Sequence, residues 1–174
     1  MTPEIIFDLQ MALGYLPWLF VSAAYVWPRL ATMERVTAHR AIAALHSFRF
    51  FGLVFIVPGV VGPNLPAGFA QFAAYGDLAT GVLAMLALLA VRVRPVFWSL
   101  VVAFNLVGFI DLAVDYYHGV ELQLPAGQLG AGYPIIVLYV PLLVITHVTA
   151  FVLLLRRPLP ASRPGERAEA EARS

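Results

Sequence analysis

Apolar residues fill five long stretches of the chain, separated by short segments that carry charge, proline or glycine. Crossing a hydrocarbon core about 30 Å thick takes roughly 20 apolar residues in a helix. Stretches of this length run from 5 to 27, 41 to 62, 68 to 91, 96 to 118 and 133 to 155. Lipid offers no water to unpaired backbone groups, and five such segments cannot close a barrel. The pattern therefore predicts an all-α integral membrane bundle of five transmembrane helices.

Arginines in the connecting segments predict the orientation of this bundle, because cytoplasmic loops are rich in arginine and lysine. The first loop, the third loop and the C-terminal end carry them: Arg29, Arg35, Arg40, Arg92, Arg94, Arg156, Arg157, Arg163, Arg167 and Arg173. The second and fourth loops carry none. Five spans place all these arginines on one side, which predicts an outside N-terminus and a cytoplasmic C-terminus.

Composition supports a lipid-embedded chain with one domain. Of 174 residues, 61% are hydrophobic and 12% are charged, and the mean hydropathy is +0.83, which is typical of a membrane protein. We predict a transmembrane domain over 1–157 and a disordered cytoplasmic tail over 158–174, which is rich in proline, glutamate and alanine. The net charge of +1 without a broad basic surface argues against nucleic-acid binding.

Two residue types are missing, and their absence narrows the chemistry. The chain has no cysteine, which excludes disulfides, iron–sulfur clusters and thiolate zinc sites. All eleven basic residues counted as lysine or arginine are arginine, so a lysine Schiff base is excluded as well. Arginine and alanine in place of lysine suggest a GC-rich bacterial genome. We therefore expect a multi-pass protein of the bacterial cytoplasmic, or inner, membrane.

Ionisable side chains inside the predicted spans are the strongest functional signal. Each costs roughly 2.5–3.5 kcal/mol at the centre of a membrane helix and should therefore face a partner. Counted from the loops, Arg49, Asp77 and Asn105 all lie near the middle of the membrane. We predict an Arg49–Asp77 ion pair with Asn105 hydrogen-bonded to it. Such a buried polar cluster either clamps three spans together or serves as a ligand or coupling site.

A second group of polar residues is predicted nearer the outer surface. Asp111, Asp115 and His118 share one face of the fourth span, and Asp8 near the outer end of the first span could join them. Carboxylates with a histidine suit a divalent cation or a proton relay. The alternative is that Asp115 and His118 are solvated in the interface.

Two histidines lie at similar depth toward the cytoplasmic side. His46 in the second span and His147 in the fifth could bind a b-type haem as axial ligands. The alternative is a structural role, since both have hydroxyl neighbours in sequence. The cofactor therefore stays unknown, with haem b as one hypothesis.

Asp77 and Asp111 suggest an enzymatic hypothesis. The stretch Tyr75-Gly76-Asp77 resembles the Gly-x-Gly-Asp motif of intramembrane aspartyl proteases, with Ala74 in place of the first glycine. The resemblance implies two carboxylates that share a proton and activate water. The alternative hypothesis is therefore a membrane-embedded enzyme in which Asp77 and Asp111 act as acid and base.

A wider resemblance covers about seventy residues of the predicted second to fourth spans. It is carried by Arg49-Phe-Phe-Gly52, by Tyr75-Gly76-Asp77 with Gly81, and by Asn105-Leu-Val-Gly108-Phe-Ile-Asp111-Leu112. In these positions the chain is similar to a family of small uncharacterised bacterial integral membrane proteins. The resemblance implies a bacterial membrane location and no particular activity.

A non-enzymatic function requires no sequence motif that the chain lacks. We expect a small membrane protein that binds or transports a ligand, or that is a subunit of a membrane complex. Its expected partners are the lipid bilayer, further copies or membrane subunits, and a small-molecule or lipid ligand. The enzyme and the haem protein stay as alternatives.

Overall fold

Helices make up all regular structure in the computed structural model, which describes residues 2–122 and 126–156; no strand occurs in these ranges. The α-helices are α1 (Pro3–Val21), α2 (Trp27–Thr32), α3 (Arg35–His46), α4 (Ala67–Leu89), α5 (Arg94–Glu121) and α6 (Val140–Leu155). The predicted all-α class is confirmed for these residues. The predicted disordered tail, 158–174, lies outside them.

Other helical turns extend the α-helices. The π-helical segment Ser22–Val26 joins α1 to α2, and a second one, Ile135–Tyr139, precedes α6. The 3₁₀ segment Ser47–Ile56 continues α3 without a break. Single 3₁₀ turns occur at Ala90–Arg92, Ala126–Gln128 and Gly130–Gly132.

Four of these helical stretches are long and apolar enough to cross a membrane. They are Pro3–Thr32, Ala67–Arg92, Arg94–Glu121 and Gly130–Leu155. They correspond to the first, third, fourth and fifth predicted spans. Their length and composition are those of a helical membrane protein.

The second predicted span, 41–62, is not among the four. It is helical only as far as Ile56, because Pro58 cannot continue a helix and Gly59 adopts a positive φ of 79°. Its helical part begins earlier than predicted, at Arg35. The observed helical part, 35–56, contains Arg35, Arg40 and Arg49, which make it less apolar than the four long stretches.

The helix α4 lies at the centre of the structure, packed against the 3₁₀ segment on one side and α5 on the other. Small side chains dominate its buried positions: Ala70, Ala73, Ala74, Thr80, Gly81, Ala84 and Ala87. Such residues let helix backbones approach closely where lipid supplies no hydrophobic driving force. By contrast, α1 buries only Gly14 and lies at the edge, against α6.

Two apolar clusters occupy the two ends of the bundle. One forms where α3, α5 and α6 meet near the arginine-bearing loops, around Phe97, Val101 and Phe104. The other lies at the opposite end and contains Phe55, Leu65 and Leu129. The buried side chains of Arg49, Asp111 and His147 lie between these clusters.

Candidate functional site: a buried arginine shared by two carboxylates

The side chain of Arg49 is the centre of the buried polar group. The 3₁₀ segment carries it, and none of its surface is exposed. Its Nε and Nη2 atoms both lie 2.5 Å from Asp77 Oδ1 on α4, and Nη2 donates to Asp111 Oδ2 on α5 at 2.6 Å. Its Nη1 donates to the carbonyl of Gly108 at 3.1 Å. One guanidinium therefore connects three helical segments and is shared by two carboxylates.

Glycines make room for these charged groups on each of the three segments. A Cβ atom at Gly52 would overlap the side chain of Asp77, and one at Gly76 would overlap the carboxylate of Asp111. A Cβ atom at Gly108 would lie 2.6 Å from the guanidinium. The buried polar side chains therefore pack directly against the backbone of a neighbouring helical segment, and only glycine leaves room for them there.

The hydrogen bonds of His147 fix its tautomer. Arg49 Nη1 lies 3.2 Å from His147 Nε2, and arginine can only donate, so Nε2 accepts. The ring proton is then on Nδ1, which donates to Asn105 Oδ1 at 3.0 Å. The amide nitrogen of Asn105 donates in turn to the Val101 carbonyl at 2.8 Å. His147 is thus a neutral ring held between the arginine and the asparagine. We call Arg49, Asp77, Asn105, Asp111 and His147 the arginine cluster.

His46 lies directly against this cluster. Its ring centroid is 4.0 Å from that of His147, with an angle of 37° between the planes. The hydroxyl of Thr146 is 2.8 Å from the Leu142 carbonyl, to which it donates, so it accepts from His46 Nε2 at 3.0 Å. Since the two rings are in contact, no gap for a porphyrin separates them, and the geometry does not fit a haem between these histidines.

The charges of the arginine cluster do not balance. Arg49 supplies one positive charge, and Asp77 and Asp111 supply two negative charges when both are ionised. Both carboxylates are largely enclosed, with exposed fractions of 14% and 4%. Asp111 Oδ1 and, one turn further along α5, Asp115 Oδ1 are buried with no hydrogen-bond partner among the described residues. A surplus negative charge and two unpaired carboxylate oxygens therefore lie together in an apolar bundle.

The predicted outer acidic face is only partly assembled. Asp111 belongs to the arginine cluster, and Asp115 lies beside it on α5. His118 instead lies 3.3 Å from Glu121, and Asp8 is exposed on α1. Within the described ranges, no group of three or more histidine, aspartate or glutamate side chains could hold a metal ion.

The structure brings together residues that the sequence assigned to three separate sites. Arg49 and Asp77 are in contact, whereas Asn105 reaches the arginine only through His147. Asp111 was expected in the outer face and His147 at a haem. The sequence does contain a signal for Asp111. Asn105, Gly108 and Asp111 follow one another at intervals of three residues, which places them on one side of helix α5.

The geometry bears on the enzymatic hypothesis as well. Asp77 Oδ1 and Asp111 Oδ2 bind the same Arg49 nitrogen, at 2.5 and 2.6 Å, so the two carboxylates are close neighbours. However, the guanidinium bridges them and occupies one oxygen of each carboxylate, whereas a water-activating pair shares a proton directly between its carboxyl groups. The pair therefore fits charge compensation better than acid–base catalysis.

These features define a helical membrane protein with a buried, charge-unbalanced arginine cluster. A family described as a domain of unknown function, DUF8737, matches residues 6–155. The chain therefore belongs to this uncharacterised family. The match spans all six α-helices apart from the first three residues of α1, and with them every residue of the arginine cluster. No curated protein and no solved structure matches the chain.

Proposed function

We propose that the chain crosses a bacterial cytoplasmic membrane five times, with the N-terminus outside and the C-terminus in the cytoplasm. The additional span is the segment 35–56. Its 12 α-helical and 10 3₁₀ residues reach about 38 Å, against a hydrocarbon core of about 30 Å. Its polar residues His46 and Arg49 are buried, whereas Phe48, Phe50 and Phe51 are exposed, as a lipid-facing surface requires.

Cysteine labelling tests this topology, because the chain contains no natural cysteine. Thr32→Cys and Asn64→Cys place single thiols at exposed positions on either side of the segment 35–56. In spheroplasts, a membrane-impermeant maleimide should label Asn64→Cys at once and Thr32→Cys only after permeabilisation. If both sites react, or both are protected, the segment 35–56 does not cross the membrane.

Within this topology, we propose that the protein is a non-enzymatic transporter whose arginine cluster takes up and releases a proton. The observation that carries the proposal is the single guanidinium shared by Asp77 and Asp111. An unbalanced charge in a lipid-embedded bundle is costly, so a bound proton is the simplest way to neutralise it. A metal cation would need more ligands than the two unpaired oxygens provide.

Buried or half-buried titratable groups continue from the cluster toward both ends of the bundle. Toward the proposed outer side, Asp115 follows Asp111 by one turn of α5. Toward the arginine-rich end, His46 contacts His147, and His39 is buried two turns earlier on α3. Such side chains are successive proton acceptors across the membrane. The step from His46 to His39, about 10 Å along the helix, requires water or movement.

Proton flux into liposomes tests the transport function. Vesicles that contain the full-length protein and a trapped pH-sensitive dye should dissipate an imposed pH gradient faster than empty vesicles. Asp111→Asn keeps the shape of the side chain and removes the surplus charge, so its rate should fall to that of empty vesicles. Asp8→Asn is the matched control, because Asp8 is exposed on α1 and no contact joins it to the cluster in the described residues.

The outcomes separate transport from a purely structural role. Wild-type flux equal to that of empty vesicles would overturn proton transport and leave the cluster as a clamp that holds the 3₁₀ segment, α4 and α5 in register. Flux that survives Asp111→Asn but disappears with Asp8→Asn would place the pathway elsewhere. Gel filtration of each variant before reconstitution checks that it is folded.

A further inference from the structure

A second polar region lies away from the arginine cluster, at the end of the bundle that carries the arginine-bearing loops. Here the loop after α2, the start of α3, the start of α5 and the end of α6 line a partly open cavity of about 720 Å³. Ligand pockets in proteins commonly have volumes of about 300–1,000 Å³. The cavity is lined by the side chains of Arg35, Arg94 and Arg156 and by one acidic residue, Glu34.

The cavity carries an excess of positive charge that its own residues do not compensate. Three arginines face one carboxylate, and the only ion pair among them is a loose one, with 3.8 Å between Arg94 and Glu34 in the described residues. Arg35 Nη2 donates to the Leu154 carbonyl at 3.0 Å, which anchors this side chain at the end of α6. Arg35 Nε is buried and has no hydrogen-bond partner in the part of the chain that the structure describes.

Aromatic rings hold two of these guanidinium groups in place. The guanidinium of Arg35 lies 5.2 Å from the ring centre of Trp98, and that of Arg156 lies 4.5 Å from the ring centre of Trp27. Tryptophan is enriched where a membrane helix meets the lipid headgroups. A cation–π contact does not use the guanidinium N–H groups as hydrogen-bond donors to the protein, so they can donate to a ligand. The arginines are therefore ordered while much of their donor capacity is unused.

We propose that this cavity binds the phosphate of an anionic phospholipid headgroup. Arginine donors match phosphate oxygens in charge and geometry, and basic pockets between helices at the cytoplasmic surface suit such headgroups. The apolar part of the lining, including Leu30, Val36 and Leu153, continues from the apolar core at the same end of the bundle. It can accept the upper part of an acyl chain. A free phosphate would use the arginines alone.

Lipid binding to the full-length protein tests the proposal. Delipidated protein in detergent is titrated with phosphatidylglycerol or phosphatidylcholine and analysed by native mass spectrometry. We expect tighter binding of phosphatidylglycerol. Removing Arg94 and Arg156 together, as Arg94→Gln with Arg156→Gln, should weaken its binding at least about tenfold, since each arginine near a headgroup contributes roughly fivefold. Arg35 stays in place in this variant, because its backbone contact supports the fold.

The matched control is Arg40→Gln with Arg92→Gln, which removes two exposed arginines from the same end of the bundle but not from the cavity. The control should keep the affinity and the preference for phosphatidylglycerol. An equal loss in both double variants would reduce the effect to general surface charge and overturn the proposal. Displacement of phosphatidylglycerol by millimolar inorganic phosphate would also overturn it, in favour of a free anion as the ligand.

Discussion

Replacing Arg49 with methionine is expected to lower the free energy of unfolding by about 3–5 kcal/mol. This is the usual cost of removing one partner of a buried ion pair, because the remaining charge is left uncompensated. Here two carboxylates, Asp77 and Asp111, would lose their shared donor. Equilibrium unfolding in mixed micelles, followed by circular dichroism, measures the difference from wild type.

Two further variants separate this effect from a general sensitivity of the helix. Arg40→Met removes an exposed arginine from α3 and should leave stability nearly unchanged. Combining Arg49→Met with Asp77→Asn and Asp111→Asn should recover much of the lost stability, because no buried charge is then left unpaired. A loss in Arg49→Met no larger than that in Arg40→Met would contradict a buried arginine.

The substitution Gly76→Ala is expected to be the most damaging single-methyl change in α4. The added Cβ would overlap the carboxylate of Asp111, which the adjoining guanidinium holds in place. Overpacking of a closely packed site costs about 1–3 kcal/mol and sometimes more. We also expect proton flux to fall, since Asp111 would have to move away from Arg49.

Gly68→Ala is the matched control for this change. Gly68 lies on the same helix, and a Cβ atom there would meet no atom within 4 Å. Its stability should stay the same or rise slightly, because alanine favours helix over glycine. Equal destabilisation of the two variants would mean that helix α4 tolerates no substitution, and the tight fit between Gly76 and Asp111 would lose its support.

Hydrophobic patterning predicted the four long apolar helical stretches, but neither the limits of the helix at the second predicted span nor the internal variation of the helices. The runs that became α4, α5 and α6 are continuous and apolar, so their identity follows from length alone. The 3₁₀ turns at Ser47–Ile56 have no such signature. They occur where the segment packs closely on α4, with Gly81 next to the backbone of Phe50, and such tertiary contacts cannot be predicted from a hydrophobic period.

The membership of the arginine cluster was predicted only in part, for a geometric reason. Counting residues from the loops gives the depth of each Cα atom, and this placed Arg49 and Asp77 together. The same count placed Asp111 nearer the surface, yet the long arginine side chain reaches it. For His147 the sequence left open a haem ligand or a structural role, because it does not show that Asn105 and Arg49 lie within hydrogen-bond distance of the ring. Side-chain reach and direction decide such contacts, and depth alone does not.

The most direct test of the proposed proton site is infrared spectroscopy of the reconstituted protein during a pH titration. A protonated carboxylic acid has a C=O stretching band distinct from that of an ionised carboxylate. We expect the wild type to show such a band for a carboxyl shielded from solvent, and Asp8→Asn to retain it. Asp111→Asn should weaken it, because Arg49 then balances Asp77 alone and only Asp115, whose Oδ1 is also buried without a hydrogen-bond partner among the described residues, can still contribute. A wild-type spectrum without the band, or an unchanged band in Asp111→Asn, would contradict proton binding at the arginine cluster.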